Sequence, residues 1–236
     1  MKKLLALLLL ASATMQVYAQ FCCHKPNTRL FYTVWNKEQQ STTTDTLIIA
    51  DAYTINDTLV VIQRNLSQGE FSSITFRCTN DGSTYLTLID SDKFSEIIKK
   101  QLASTLPEDS LTSDKEEKLR KKQQISGSAV VPLHPKAIPG NEIASSMFQY
   151  KLGPIRMKVS VEKCTNEGYE TITTQAGTFE CLKISYQLKY KMMFMSESSY
   201  FTDWYAENIG LVKGIETDKK GRVVATRELI GIENPD

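Results

Sequence analysis

The alternation of apolar and polar residues divides the chain into short strands and one helical segment. Between Arg29 and Asp90, five β-rich runs are separated by polar turns, and they read RLFYTVW, TDTLIIADAYTI, DTLVVIQRNL, FSSITFRC and STYLTLID. Alternation returns after Met147 and is clearest at 155–162 and 182–190. Short successive strands favour an antiparallel meander, because a parallel crossover needs about a dozen residues or more.

A helical period replaces the alternation after Ser91. The apolar positions of this segment recur three or four residues apart and predict an amphipathic helix with one stripe, formed by Phe94, Ile97, Ile98 and Leu102. The charged segment 113–124 has Leu119 as its one apolar residue, so it cannot bury a face. We therefore expect a helical insertion at about 91–124, followed by an extended loop at about 130–143, which contains three prolines.

Two further turns and one irregular run complete the second half. We expect TNEG at 165–168 to turn the chain, and Gly221 to close the last hairpin in a left-handed conformation. After Tyr190 the alternation fails, and apolar groups fall on both faces at Met192, Met193, Phe194 and Met195. A strand that is apolar on both sides is either covered twice or lines a cavity.

The predicted fold is mainly β, a single curved antiparallel sheet that forms a half-open barrel. The amphipathic helix is expected to pack in or over its concave face. The candidate face for an apolar ligand or for helix docking contains Phe94, Ile97, Ile98, Leu102, Met192, Phe194 and Met195. We favour helix docking over a ligand pocket here, because methionine and aromatic stripes usually belong to the core.

The N-terminus predicts export. Lys2 and Lys3 precede an apolar run, and the segment closes on Val17-Tyr18-Ala19, so residues 1–19 are expected to be a signal peptide and 20–236 one β-rich domain. Cys22 follows Phe21 rather than a small residue, which disfavours a lipid anchor. We expect a soluble periplasmic or envelope-associated protein, with no later segment apolar enough to span a membrane.

Composition narrows the chemistry. Removal of residues 1–19 leaves 26 basic and 27 acidic residues, so nothing favours a nucleic-acid partner. His24 and His134 are the two histidines, and the chain has no recognisable nucleophile, metal or phosphate motif. We expect no enzyme activity, no catalytic residues, no metal and no cofactor.

Five cysteines, Cys22, Cys23, Cys78, Cys164 and Cys181, enter an oxidising compartment if the chain is exported. The odd number leaves at least one thiol unpaired or joined to another chain. We expect both Cys164 and Cys181 to point away from the apolar face, but no bridge between them, because the strand YETITT should separate their strands by about 9–10 Å. Cys22 and Cys23 are the expected partners of Cys78 or of another chain.

The blocks ETITTQAGTFECLKISYQLKYKMMFM, DWYAENIGLVK, DKKGRVVATREL and ITFRCTNDGSTYLTLID resemble a TapB-like family of exported envelope proteins of Bacteroides-type bacteria, whose function is unknown. The resemblance covers most of the mature chain, apart from the charged residues 108–124. It implies a fold similar to the half-open sheet of the periplasmic lipoprotein carriers (LolA-like), and it brings no catalytic residues.

Two functions fit these expectations. The first is a non-enzymatic periplasmic or envelope protein that binds an apolar ligand, such as a lipid or an acyl chain, in the concave face of the sheet. The alternative is a structural or protein-interaction module of an envelope assembly, with a filled core and no small ligand. The expected partner is accordingly a lipid, another apolar molecule or an envelope protein.

Overall fold

The computed structural model describes residues 20–66, 73–92, 94–95, 123–152 and 154–235. The strands within these residues are β1 Arg29–Asn36, β2 Ser41–Ile55, β3 Thr58–Asn65, β4 Ser73–Cys78, β5 Thr84–Asp90, β6 Gln123–Leu133, β7 Glu142–Ile143, β8 Ser146–Leu152, β9 Ile155–Thr174, β10 Gly177–Met192, β11 Met195–Ala206, β12 Gly210–Thr217 and β13 Val223–Glu233. The five strands expected between Arg29 and Asp90 are all present, and Gly221 has the expected positive φ, at 73°.

The sheet is a closed antiparallel ring. Its strand order is β10-β11-β12-β13-β1-β2-β3-β4-β5-β6-β8-β9, and β9 pairs in turn with β10. The two-residue strand β7 lies outside this ring of twelve and pairs with β9 alone. Every pair in the ring joins strands that follow one another along the chain, apart from β6–β8, which skips β7, and β1–β13. The pair β1–β13, in register from Arg29↔Glu233 to Asn36↔Ala225, therefore turns the meander into a barrel.

The prediction of a half-open sheet with an inserted helix is wrong. The β1–β13 pair removes both edges that an open meander would expose. Within the described ranges no helix forms an element of its own, although Ser91, Asp92, Phe94 and Ser95 have helical backbone. The expected signal peptide at 1–19, the rest of the helical insertion up to residue 122, and three of its stripe residues, Ile97, Ile98 and Leu102, lie outside the described residues.

Two local features also differ from expectation. β6 begins at Gln123 and runs to Leu133, so the first four residues of the expected proline-rich loop belong to a strand. β9 continues without a turn through TNEG at 165–168. The positive φ angles of Lys163 and Gly168, 52° and 93°, accompany irregular β9–β10 register rather than a reversal of the chain.

The main core is filled by the chain's own side chains. Its completely buried members are Phe21, Cys22, Ile49, Val61, Ala129, Val131, Leu133, Phe148, Val161, Cys164, Leu182 and Ile184. The alternating apolar face of β10 lies here, since Leu182 and Ile184 are completely buried and Tyr186 is 7% exposed. The N-terminal segment contributes Phe21 and Cys22, both without solvent exposure.

A second, smaller core forms where the β9–β10 hairpin extends past its neighbours. Its buried members are Leu30, Tyr32, Leu47, Ile172, Cys181, Trp204, Ala206, Val212 and Leu229. Near the hairpin turn, Ala176 and Phe179 pack against this cluster, and β9 contacts β12 and β13, with which it does not pair. The end of the hairpin therefore covers apolar residues of the neighbouring strands.

Candidate functional site

The barrel has two ends that differ in chemistry. Because strands that pair in chain order are antiparallel, alternate turns fall at the same end. The turns at 37–40, 193–194 and 218–222 share one end, named here the distal rim. The opposite end, the terminal rim, holds the N-terminal segment 20–28 and the end of β13.

The distal rim carries an apolar turn, Met193–Met195, between β10 and β11. Phe194 is 97% exposed, and Met193 and Met195 are each 56% exposed. The Met193 amide donates a hydrogen bond of 3.0 Å to the carbonyl oxygen of Arg156, which ties this turn to the start of β9. Three adjacent apolar side chains are thus held in solvent on a fixed backbone.

The residues of this turn are poorly suited to the turn itself. Met193 has a φ of 51°, in the left-handed region that favours Gly, Asn or Asp. The turns after β2 and before β13 place such residues there, with Asn56, Asp57 and Gly221, whereas the turn after β1 has Gln40 at a φ of 49°. Met193 therefore departs from the usual preference at this position, and a local departure of this kind suggests a functional constraint.

A groove of about 430 Å³ lies beside the apolar turn, across the ends of β6, β8, β9 and β10. Its lining residues are Gln124, Ser126, Gln149, Tyr150, Lys151, Arg156, Met157, Lys158, Lys191 and Met193. Four of them, Lys151, Arg156, Lys158 and Lys191, are cationic and none is acidic; this is named the basic groove. Met193 belongs both to the groove and to the apolar turn, so the two surfaces are continuous.

The charge of the basic groove is not neutralised by ion pairs. Among the described residues, none of its four cations makes a salt bridge. Glu162 on β9 is engaged instead by Lys189, at 2.5 Å between Nζ and Oε2. That hydrogen bond, with a smaller one from Ser160, lowers the pKa of the Glu162 carboxyl. A surface whose four cations make no salt bridge with the described residues favours an anionic group as its ligand.

The structure separates the predicted site residues that it describes. Phe94 packs on β8, with ring centroids 5.0 Å from Phe148 and 4.8 Å from Tyr150. Met192 is half-buried at the end of β10, whereas Phe194 and Met195 are exposed in the apolar turn. β9 lies between β8 and β10, so the described residues of this set share the distal rim without forming one apolar face.

Sequence reasoning missed the four groove cations. Lys158 and Lys191 occupy polar positions of alternating strands, and a solvated charge is the ordinary interpretation of such positions. The four cations come from β8, β9 and β10, and only the strand register brings them together. The apolar run after Tyr190 was the single sequence signal for this region.

A serine–histidine contact at the terminal rim was missed as well, because its residues are distant in sequence. Nδ1 of His134 lies 2.8 Å from Oγ of Ser83. Ser83 is 7% exposed, and burial lowers the pKa of His134. The nearby Asp81 carboxylate accepts hydrogen bonds from Thr79 and from the Ser83 amide, so it does not orient the imidazole as in a catalytic triad.

The chain is similar to proteins of known structure but of unassigned function. A family model described as DUF3108-like matches residues 132–229. A solved protein from Bacteroides fragilis, assigned as exported and with a YmcC-like fold, is 16% identical, with a TM-score of 0.60 over 92% of this chain and 100% of that one. A protein from Parabacteroides distasonis, assigned as a lipoprotein, is 17% identical, with the same TM-score and the same coverage of both chains. No curated protein matches.

These similarities show the fold. In addition, no helix among the described residues has the length and hydropathy needed to cross a membrane.

Proposed function

We propose that this chain is an exported, non-enzymatic envelope protein that docks reversibly on anionic lipid through its distal rim. The observation that carries this proposal is the continuity of the apolar turn with the basic groove. Phe194 and its two neighbours present apolar surface, and four cations that make no salt bridge with the described part of the chain lie beside them. Apolar insertion next to basic residues is the usual chemistry of peripheral membrane binding.

The expected strength is that of a reversible contact. Each cation near an anionic surface contributes about 1 kcal/mol, and transfer of the Phe194 side chain into an apolar phase contributes about 1.5–3 kcal/mol. Met193 and Met195 are already partly buried, so each contributes less than the free energy of transferring a fully exposed methionine side chain into an apolar phase. Association costs several kcal/mol of translational and rotational freedom, so we expect net binding weaker than the micromolar strength to which about 8 kcal/mol corresponds.

The filled barrel supports a surface contact rather than an enclosed ligand. The main core contains Phe21 and Cys22 from the N-terminal segment, packed with the apolar face of β10. A lipid would have to displace these buried side chains to enter the ring, whereas the distal rim presents its apolar groups without rearrangement.

Export is supported by the sequence and by the solved neighbours. The expected signal peptide at residues 1–19 agrees with neighbours from Bacteroides fragilis and Parabacteroides distasonis that are assigned as an exported protein and a lipoprotein. Membership of the TapB-like envelope proteins remains part of this proposal. The burial of Cys22 favours a mature form that is not acylated at this thiol.

Co-sedimentation with lipid vesicles tests the proposal. We expect the mature protein to bind vesicles that contain phosphatidylglycerol, to bind phosphatidylcholine vesicles weakly, and to be released from the phosphatidylglycerol vesicles as salt rises. Phe194→Ser should weaken binding about tenfold or more, since that factor corresponds to about 1.4 kcal/mol. The double variant Lys151→Gln/Lys191→Gln should reduce the preference for the anionic lipid.

Matched controls distinguish binding through the distal rim from non-specific adsorption of the protein to vesicles. Ile138→Ser removes an apolar side chain that is 68% exposed on the terminal rim, and Lys163→Gln removes an exposed cation outside the groove. Both should bind as the wild type does. Equal binding by all variants, or no binding to either vesicle, would refute lipid docking. In the second case, loss of an envelope-protein contact on Phe194→Ser would support the interaction module instead.

A further inference from the structure

The N-terminal segment is built into the barrel at the terminal rim. The Asn208 amide donates a hydrogen bond of 2.6 Å to the Gln20 carbonyl, and the Asn27 amide donates one of 2.8 Å to the Ile49 carbonyl. Phe21 and Cys22 between them have no solvent exposure. The segment is thus fixed by backbone hydrogen bonds at both ends and by burial in the middle.

The centre of this segment meets β4 at a pair of thiols. Sγ of Cys22 lies 3.2 Å from Sγ of Cys78, and the two residues are 0% and 3% exposed. Thr84, which faces Cys78 across the β4–β5 pair, accepts a hydrogen bond from the Phe21 amide and donates one of 3.6 Å to Sγ of Cys78. One threonine hydroxyl therefore positions both the segment and the thiol that it contacts.

We propose that Cys22 and Cys78 form a disulfide in the exported protein and that this bond anchors the N-terminal segment in the barrel. Two sulfur atoms in contact need to approach by about 1 Å to reach a bond length of about 2.05 Å. Exported proteins meet an oxidising compartment, where such a contact is converted to a bond. The inference rests on export and is independent of lipid docking.

The chemistry is thiol–disulfide exchange with a disulfide-containing oxidant, either a dithiol oxidoreductase or oxidised glutathione. One of the two protein thiols, as its thiolate, attacks one sulfur of the oxidant and releases the other as a thiol. The second protein thiol then attacks the protein sulfur of this mixed disulfide, gives up its proton and releases the second thiol of the oxidant. The oxidant gains two electrons and two protons, and the protein loses them.

The electrostatics of the docked segment distinguish the two thiols. Hydrogen bonds from Cys22 and Thr84 lower the pKa of Cys78, whereas the same contact and burial raise the pKa of Cys22. Because both thiols are buried once the segment is docked, exchange with the oxidant begins before docking, and these pKa shifts do not set which thiol attacks first.

The other three cysteines have different environments. Cys164 lies in the main core and Cys181 in the second core, so the two thiols are not in contact. Both are fully buried, whereas the sequence predicted that they point away from the apolar face. Burial raises the pKa of these thiols to about 12 and about 11, which makes them unreactive. Cys23, 8% exposed, neighbours Cys22 in sequence and is the one close competitor for Cys78.

Peptide mapping of the exported protein tests the bond. Denatured, unreduced protein should alkylate at three of the five cysteines, and reduction should expose the other two. Trypsin cleaves after Arg29 and Arg77 and spares the Lys25–Pro26 bond, so the linked peptides should be 20–29 and the one that begins at Cys78. Alkylation of all five thiols without reduction would overturn the proposal.

Two variants distinguish Cys22 from Cys23, which share a peptide. Cys23→Ser should keep the cross-linked peptide at wild-type yield, and Cys22→Ser should abolish it. The reverse pattern, a Cys22–Cys23 link or a linkage between two chains would each contradict the assignment. If Cys22→Ser does not fold, fragmentation of the wild-type linked peptide identifies which of the two cysteines is joined to Cys78.

Discussion

The Asp203 carboxyl in the main core gives a sharp test of the energetics of the barrel. Asp203 is on β11 and 6% exposed, and Oδ2 accepts hydrogen bonds from the hydroxyls of Tyr186 at 3.0 Å and Tyr205 at 3.1 Å. Burial raises the pKa of Asp203 from 3.8 to about 6, although these hydrogen bonds and the charge of Arg227 oppose the rise and Glu216 adds to it. The folded state therefore holds a proton that the unfolded chain releases.

The sign and size of the effect follow from this pKa. Below pH 3.8 the Asp203 carboxyl is protonated in both states, and its pKa of about 6 in the folded state makes stability fall as pH rises through that value. The difference corresponds to about 3 kcal/mol at pH 7. Asp203→Asn keeps an acceptor for both tyrosines and removes the charge. The free energy of unfolding of the variant, relative to wild type, should therefore rise by about 3 kcal/mol between pH 3.5 and 7.

Urea unfolding followed by tryptophan fluorescence measures this difference, because Trp204 is adjacent to Asp203 and 6% exposed. Asp81→Asn is the matched control. Hydrogen bonds from Thr79 and Ser83 lower the pKa of Asp81 to about 2, so its contribution is constant above pH 4 and is lost only as the pH falls towards 2. A stability difference for Asp203→Asn that does not change with pH would refute the burial of a titrating carboxyl.

Two further predictions concern the frame of the barrel. Gly127→Ala should lower the free energy of unfolding by about 2 kcal/mol or more, because φ is 73° and a Cβ would lie 2.2 Å from a backbone oxygen of β8. Its control is Gly140→Ala, where φ is 85° but no atom lies within 4 Å of the added Cβ, and the free energy of unfolding should fall by about 1 kcal/mol. Arg227→Met should lower the free energy of unfolding by about 3 kcal/mol, because it removes the 2.9 Å ion pair of the Asp45 carboxylate, which is 11% exposed. Its control is Arg29→Met, which breaks an exposed ion pair and should change the free energy of unfolding by less than about 1 kcal/mol. Denaturant unfolding of each pair at one pH checks both, and equal losses within a pair would contradict the reasoning.

The alternation of apolar and polar residues was sufficient to predict most of the strands. All five runs expected between Arg29 and Asp90 form strands, because the polar turns that flank them are local signals. The expected turn at TNEG was wrong for a tertiary reason. The Asn166 side chain accepts from the Gly168 amide and donates to the His134 carbonyl, so the turn-forming residues hold the loop after β6 while β9 continues.

The candidate site was predicted only in part. The failure of alternation after Tyr190 identified Met192–Met195 as unusual, but the pattern does not distinguish an apolar run inside a sheet from one at a hairpin turn. Met193 and Phe194 form that turn in the structure. The basic groove left no local signal, since it depends on the register that brings β8, β9 and β10 together.

The ring is closed by pairing between β1, the first strand of the chain, and β13, the last. Until Val223–Glu233 is available, β1 and β12 both present unpaired backbone groups, and each is a template for pairing with another chain. Contacts between residues about 200 positions apart also form slowly, because a long loop must close before they are made. If the chain is exported from its N-terminus, the eleven residues Val223–Glu233 are the last strand to become available, and their pairing with β1 is the step that removes both exposed edges.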